Sequence, residues 1–115
     1  MRDHVAEAVE VHTAVRPERA TVLVFPDQVD IANAPALRAR VLQLLNQGTR
    51  SLELDLTQCS FCDSSGVDVI LRSHLRATAL GAHLAIRLPP TGVVARVCQI
   101  TGVTRAVTVL PAPAQ

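Results

Sequence analysis

The residues best placed to do chemistry lie together, where Cys59-Ser60-Phe61-Cys62 runs directly into Asp63-Ser64-Ser65-Gly66-Val67-Asp68. A serine where a strand hands over to a helix sits near free backbone N–H groups and the positive end of the helix dipole. Ser64 can therefore be a simple N-cap or a hydroxyl presented for modification by an anion. Asp63 has a similar range: it can bind the N-terminal amides, shape the loop, or orient the neighbouring hydroxyl. Ser65 with Asp68 three residues on has the spacing of a capping box. The Cys-x-x-Cys raises a redox or metal reading. A zinc site wants four ligands, however, and Cys98, His74 and His83 supply no second paired spacing. A thioredoxin-like thiol would occupy the helix start itself, where this chain has Asp63-Ser64. Buried thiols are the alternative. His4, His12, His74 and His83 stand apart without a matched nucleophile, and neither Gly-x-x-x-x-Gly-Lys nor Gly-x-Gly-x-x-Gly occurs. These patterns predict no catalytic residue, no metal and no cofactor.

The elements that must position this loop can be read from periodicity. Leu52, Leu54 and Leu56 alternate with Glu53 and Asp55, which predicts a half-buried strand with its acids toward solvent or a loop. A helix follows the Asp-Ser-Ser-Gly turn, with Val67, Ile70, Leu71, Leu75 and Leu80 as its apolar side and Gly81 at its end. Earlier in the chain, Val5, Val9, Val11 and Val15 predict an edge strand that turns at Pro17 and pairs as a hairpin with Thr21 to Phe25. The stretch from Val29 to Pro35 has no strand alternation. It leads into a helix with its N-cap near Asn33 or Ala34, Pro35 in the first turn, an apolar side of Leu37, Val41, Leu44 and Leu45, and Gly48 as its C-terminal cap. After the second helix come a strand over residues 83–88, a short helix capped by Thr91 and running to about Ile100 with Val94, Val97 and Cys98 inward, and a last strand over residues 106–110. The echo of Thr91-Gly92-Val93 in Thr101-Gly102-Val103 is too short for a repeat. The order β-β-α-β-α-β-α-β predicts an α/β single domain over residues 1–110, with a mixed β-sheet and its helices largely on one face. Residues 111–115 read as a disordered tail.

Composition narrows the function. The chain has 115 residues and a formal net charge of +1, enough for one domain with an aliphatic core. All 11 basic residues are arginines without a run, and Phe25 and Phe61 are the only aromatics, so neither a basic nucleic-acid patch nor a base-stacking platform is present. No apolar run reaches the roughly twenty residues of a membrane span, and the first residues lack the apolar centre of a signal peptide. Three cysteines without an export signal predict reduced thiols and a cytoplasmic location.

An apolar strand, a hydrophobic residue, then Asp63-Ser64-Ser65-Gly66 and an aliphatic residue opening an amphipathic helix resembles the STAS domain, in particular the bacterial anti-sigma factor antagonists. The resemblance covers nearly the whole chain and implies the same STAS-like fold. It implies that Ser64 is the phosphorylation site. Asp30 and Asn33 align with polar residues that the family carries in the loop before its first helix, near that serine. The implied partner surface is Asp30, Asn33, Asp63, Ser64, Ser65 and Gly66. By the same resemblance the chain is not an enzyme. Its unphosphorylated form would bind an anti-sigma factor of serine protein kinase type and so release a sigma factor, and a phosphatase would reset it. The alternative is a STAS subunit of a lipid-transport ABC complex or a stress-signalling scaffold, which needs the same surface without a phosphoserine switch. Two residues depart from the family pattern: Asp27 where glycine is usual, and Asp68 where a small residue is usual.

Overall fold

The computed structural model describes residues 12–15 and 20–111. Its main sheet has five strands in the order β1 (His12–Val15), β2 (Thr21–Val24), β4 (Ser51–Asp55), β6 (His83–Arg87), β7 (Thr108–Leu110). β1 runs antiparallel to β2 and the other neighbours are parallel, so the sheet is mixed as predicted. The hairpin is present with β1 at the edge. The earlier part of that strand, with Val5, Val9 and Val11, and its turn at Pro17 lie outside the described residues, as do residues 112–115 of the tail.

Register explains which way the strands face. Leu23, Leu54 and Ile86 stand side by side across β2, β4 and β6, as do Leu52 and Leu84, and all belong to one continuous core. Helix α1 (Ala34–Asn46) adds Leu37, Val41, Leu44 and Leu45 to that same core, and α2 (Ser64–Ala79) adds Val67, Val69, Ile70 and Ala77. Helix α3 (Val93–Ile100) adds Val94 and Cys98, and the single turn α4 (Val103–Ala106) adds Val103. The four described helices thus cover one face of the sheet. Two further residues each, β3 (Gln28–Val29) and β5 (Phe61–Cys62), form a separate parallel ladder beside it.

Several expectations change. Glu53 and Asp55 are buried, at 2% and 9% exposure, so β4 is enclosed on both faces. Neither acid is solvated: Arg87 on the adjacent strand grips Glu53 through Nε–Oε2 at 2.8 Å and Nη2–Oε1 at 3.3 Å, and Arg87 also donates to the Pro111 carbonyl. Asp55 Oδ1 accepts from the Thr57 amide at 2.9 Å and its hydroxyl at 2.7 Å. Paired in this way, a charged side chain can occupy a covered face where alternation alone assigns it to water. On α2, Leu75 and Leu80 are exposed, and the inward side holds Gly66, Val69, Ser73 and Ala77 along with Val67 and Ile70. At about 100° per residue Leu75 stands opposite Gly66, Ser73 and Ala77. Thr91 does not cap α3. Its N-cap is Gly92 with φ 99°, and Gly102, with φ 89°, caps α4 likewise. The two Thr-Gly-Val stretches therefore share one device: a glycine in the positive-φ region turns the chain into a helix. That second helix takes residues 103–106, and the last strand begins at Thr108 instead of Ala106.

A buried and an exposed leucine should respond oppositely to truncation. Leu54→Ala, in the fully buried centre of β4, is expected to cost about 2–5 kcal/mol, whereas Leu75→Ala changes stability by less than about 0.5 kcal/mol. Urea unfolding of both variants checks this; comparable losses would place Leu75 in the core.

Candidate phosphorylation site and partner surface

Ladder β3–β5 builds the site. Gln28 pairs with Phe61 and Val29 with Cys62, so the loop before α1 is tied to the loop before α2. The Asp27 carbonyl extends this link, accepting from the Ser60 and Phe61 amides at 2.7 and 3.2 Å, and the Asp27 carboxylate accepts from the Ser60 hydroxyl at 2.7 Å. Asp27, a departure from the family pattern, is thus used to join the two loops. No strand alternation marks this region, and a two-residue ladder leaves too little sequence to show one.

The chain then turns into α2. The Asp63 amide donates to the Val29 carbonyl at 3.2 Å, which fixes Asp63 in an extended conformation where its Oδ1 accepts from the Ser65 amide at 2.8 Å. Asp63 is the N-cap, and Ser64 is the first helical residue with its side chain exposed. Ser64 is therefore not the cap, and the Ser65–Asp68 capping box does not form. Asp68 instead places both carboxylate oxygens 2.9 Å from Nε of Arg72, one turn later and on the surface.

Asp30 and Asn33 spend their polar atoms on the facing loop. Asp30 Oδ1 accepts from the Ala32 amide at 2.9 Å; Asn33 Oδ1 accepts from the Asp30 amide at 3.1 Å, and its Nδ2 donates to the Gln28 carbonyl at 2.8 Å. Asn33 occupies the N-cap position of α1 without capping it through its side chain. Both residues are half-buried and shape the loop that precedes α1.

Where the first turns of α1 and α2 meet they leave a cleft of about 360 Å³, lined by Ile31, Pro35, Arg38, Ser64, Ser65 and Asp68, among others. Two of these were not singled out from the sequence. Ile31 is 78% exposed, an aliphatic side chain standing in solvent between Asp30 and Ala32. Arg38, half-buried in the second turn of α1, also reaches the cleft. Phe61, 44% exposed, is a further apolar group beside the loop. The signal for Ile31 was available as an isolated large apolar residue in a polar loop; nothing in the spacing of Arg38 separates it from Arg40. Gly66, by contrast, is buried and faces inward. A Cβ built there would lie 2.2 Å from Cys62 Sγ and 3.1 Å from Val29 Cγ1, so glycine permits α2 to start hard against the ladder.

The thiols lie beneath this surface. Cys59, Cys62 and Cys98 are unpaired and buried. Burial pushes the Cys62 thiol up to about 12 and Cys98 to about 11, and raises Cys59, with neighbouring thiols adding to the first two. That is the reverse of the depressed pKa a reactive thiolate needs. Among the described residues no group of three or more His, Cys, Asp or Glu side chains is placed to hold a metal ion. The described helices include none long and apolar enough to cross a membrane.

With the loop, cap and cleft in place, the chain can be compared with known proteins. The family model described as Mlab, STAS domain matches residues 12–111. This chain belongs to the STAS domain family. Solved structures of the fold include an anti-sigma factor antagonist from Mycobacterium paratuberculosis, 15% identical with a TM-score of 0.78, covering 92% of this chain and 86% of that one. A candidate anti-sigma factor antagonist from Thermotoga maritima is 22% identical with a TM-score of 0.76, covering 96% and 92%. The Bacillus cell fate determinant SpoIIAA in its phosphorylated form is 19% identical with a TM-score of 0.69, covering 90% and 92%. At these identities the likeness is one of STAS fold. No curated protein sequence is significantly similar to the chain.

The packing of this STAS domain yields two expectations. Gly66→Ala should destabilise by about 1–3 kcal/mol despite alanine's better helix propensity, and adding Cys62→Ala should recover part of the loss, giving a measurable coupling in a double-mutant cycle. Equal and additive losses would show that the close approach is not the cause. The second concerns alkaline pH. The chain has no lysine or tyrosine, so the three cysteines are its only side chains titrating between about pH 8.5 and 12. Because their folded pKa values are raised, the unfolded chain releases protons in that window that the folded chain keeps. Stability is thus unaffected by them below about pH 8.5 and falls as pH rises toward 12. Denaturant titrations at successive pH values should show this decline, flattened in a Cys62→Ala/Cys98→Ala variant.

Proposed function

We propose that this STAS domain is an anti-sigma factor antagonist, a non-enzymatic cytoplasmic binding module controlled by phosphorylation of Ser64. The observation that carries the reading is the placement of Ser64: an exposed hydroxyl on the first residue of α2, beside an apolar-rimmed cleft, with its loop held rigid by the β3–β5 ladder. Its membership of the STAS family supports the reading. So does its likeness in fold to anti-sigma factor antagonists, one of them, SpoIIAA, known in both unphosphorylated and phosphorylated forms.

In this reading the unphosphorylated chain binds an anti-sigma factor of serine protein kinase type and frees a sigma factor. Asp30, Asn33, Asp63, Ser64 and Ser65 border the contact, Ile31 and Phe61 supply its apolar anchors, and Gly66 acts from below by setting the height of the turn. The kinase brings ATP and magnesium. Ser64 Oγ attacks the γ-phosphorus, ADP leaves, and the hydroxyl proton passes to a base; a phosphatase later hydrolyses the ester. The phosphate adds about −1.5 to −2 charges. At a helix N-terminus an anion gains about 0.3–1 kcal/mol, so the fold tolerates it. The interface does not: a like charge within about 6 Å at an effective dielectric near 20 costs roughly 3 kcal/mol, about a hundredfold in affinity.

A second reading, a STAS subunit of a lipid-transport ABC complex or a stress-signalling scaffold, uses the same surface without a phosphoserine switch. The groove lined by Leu42, Leu75 and Ala79 adjoins that surface, since Arg38 lines both hollows.

Affinity purification of the unaltered chain and Ser64→Asp from the source cells separates the two. The antagonist reading expects a kinase-like anti-sigma factor with the unaltered chain and its loss, by about a hundredfold in measured affinity, with Ser64→Asp, while the melting temperatures of the two chains agree. Equal recovery of the same partners, whether transporter subunits or a STAS assembly, would overturn the switch.

A further inference from the structure

Among the described residues, Arg38 is the one cation lining the Ser64 cleft, and no acid pairs with it. It is the fifth residue of α1, half-buried, and shares the cleft with Ser64, Ser65 and Asp68. Asp68 is already engaged, with both oxygens on Arg72. Helix α1 carries no acidic residue, and among the described residues no carboxylate forms an ion pair with Arg38. A guanidinium at the junction of two hollows thus shares its cleft with Ile31, Pro35, Val69 and a neutral hydroxyl.

We propose that Arg38 is an intrachain clamp for phosphoserine 64, drawing the phosphate into the cleft between α1 and α2. The inference rests on Ser64 being the modified residue. A planar guanidinium matches a phosphate as a bidentate partner, and arginine holds its charge at every relevant pH. The cleft has room: about 360 Å³ against the roughly 30 Å³ that one water occupies in the liquid. The clamped phosphate lies over Ile31 and Pro35. Phosphorylation then acts on a partner in two ways, by charge and by covering the apolar rim that the partner needs. The other charged groups around the phosphate are Asp68 and Arg72 from α2, which largely cancel one another, and the Asp30 and Asp63 carboxylates from the two loops, each engaged by a backbone amide. Among the described residues that line the cleft, Arg38 is the cation that adds to the attraction of the α2 N-terminus.

The test uses phosphoserine incorporated directly at position 64, so its outcome does not depend on whether a kinase uses that residue in the cell. The second ionisation of the phosphate, near pH 6 when unperturbed, is followed by ³¹P NMR in the otherwise unaltered chain and in Arg38→Gln, Arg38→Lys and Arg40→Gln. Removing the guanidinium in Arg38→Gln is expected to raise the phosphate pKa by about half a pH unit or more, about threefold in proton affinity. Arg38→Lys should recover part of that depression. Arg40→Gln, whose arginine instead bonds Gln43 and Thr13, should leave the titration where it is. Coincident titration curves for the unaltered chain and Arg38→Gln would overturn the clamp. So would an equal effect from Arg40→Gln, which would reduce it to general charge.

Discussion

Two backbone loops meet at this site because Gln28–Val29 and Phe61–Cys62 hydrogen-bond as parallel strands outside the main sheet. Each such bond is worth only about 1 kcal/mol net, but its geometrical consequence is larger than its energy. The ladder places the Val29 carbonyl where it receives the Asp63 amide, which leaves the Asp63 carboxylate pointing at the Ser65 amide, which starts α2 at Ser64. It also brings Val29 and Cys62 to the point where only a glycine fits at residue 66. Cap, helix start, glycine and exposed serine are consequences of the same pairing.

The same turn separates two environments over three residues. Cys62 points into the core and its thiol is pushed up to about 12, chiefly because burial penalises the charged form. Ser64, two residues on, is exposed at a helix N-terminus. One side chain cannot become an anion at neutral pH and the other can carry one at little cost. The Cys-x-x-Cys spacing and the Asp-Ser-Ser-Gly motif are therefore not rival chemistries at one place. The two thiols lie on the inner side of one loop and Ser64 on its outer side, exposed to solvent.

Most of the main sheet and the two long helices was legible because their signals are periodic. Leu37, Val41, Leu44 and Leu45 are buried at the spacing that predicted them, and the Leu52-Leu54-Leu56 face is fully enclosed. Failures occur where contact distance, not hydropathy, decides burial. On α2 the residues that face inward include Gly66, Ser73 and Ala77, small enough for the helix to lie close, while the large Leu75 is outside. Ser73 shows the same preference for size over polarity, since its buried hydroxyl has no hydrogen-bond partner among the described residues. The opposite error occurs at Glu53, where a charged residue is buried because Arg87, 34 positions away, lies beside it in the adjacent strand. No local pattern carries that pairing.

At the site, legibility divides along the same line. The resemblance singled out Ser64, Asp63, Asp30 and Asn33, while the sequence left the cap open among Asp63, Ser64 and Ser65, since each of these types can fill that position and tertiary contact selects among them. The β3–β5 link makes the selection by holding Asp63 extended, with φ −96° and ψ −167°. Ile31 and Arg38 acquire meaning only once α1 and α2 lie side by side with their first turns together, because the cleft they line belongs to neither helix alone. A surface assembled from two helix starts has this property in general: its chemistry is set by residues about thirty positions apart in the chain. The constraint that joins them is the main-chain ladder, which side-chain types do not report. The cleft beside Ser64 is therefore walled by α1 as much as by α2.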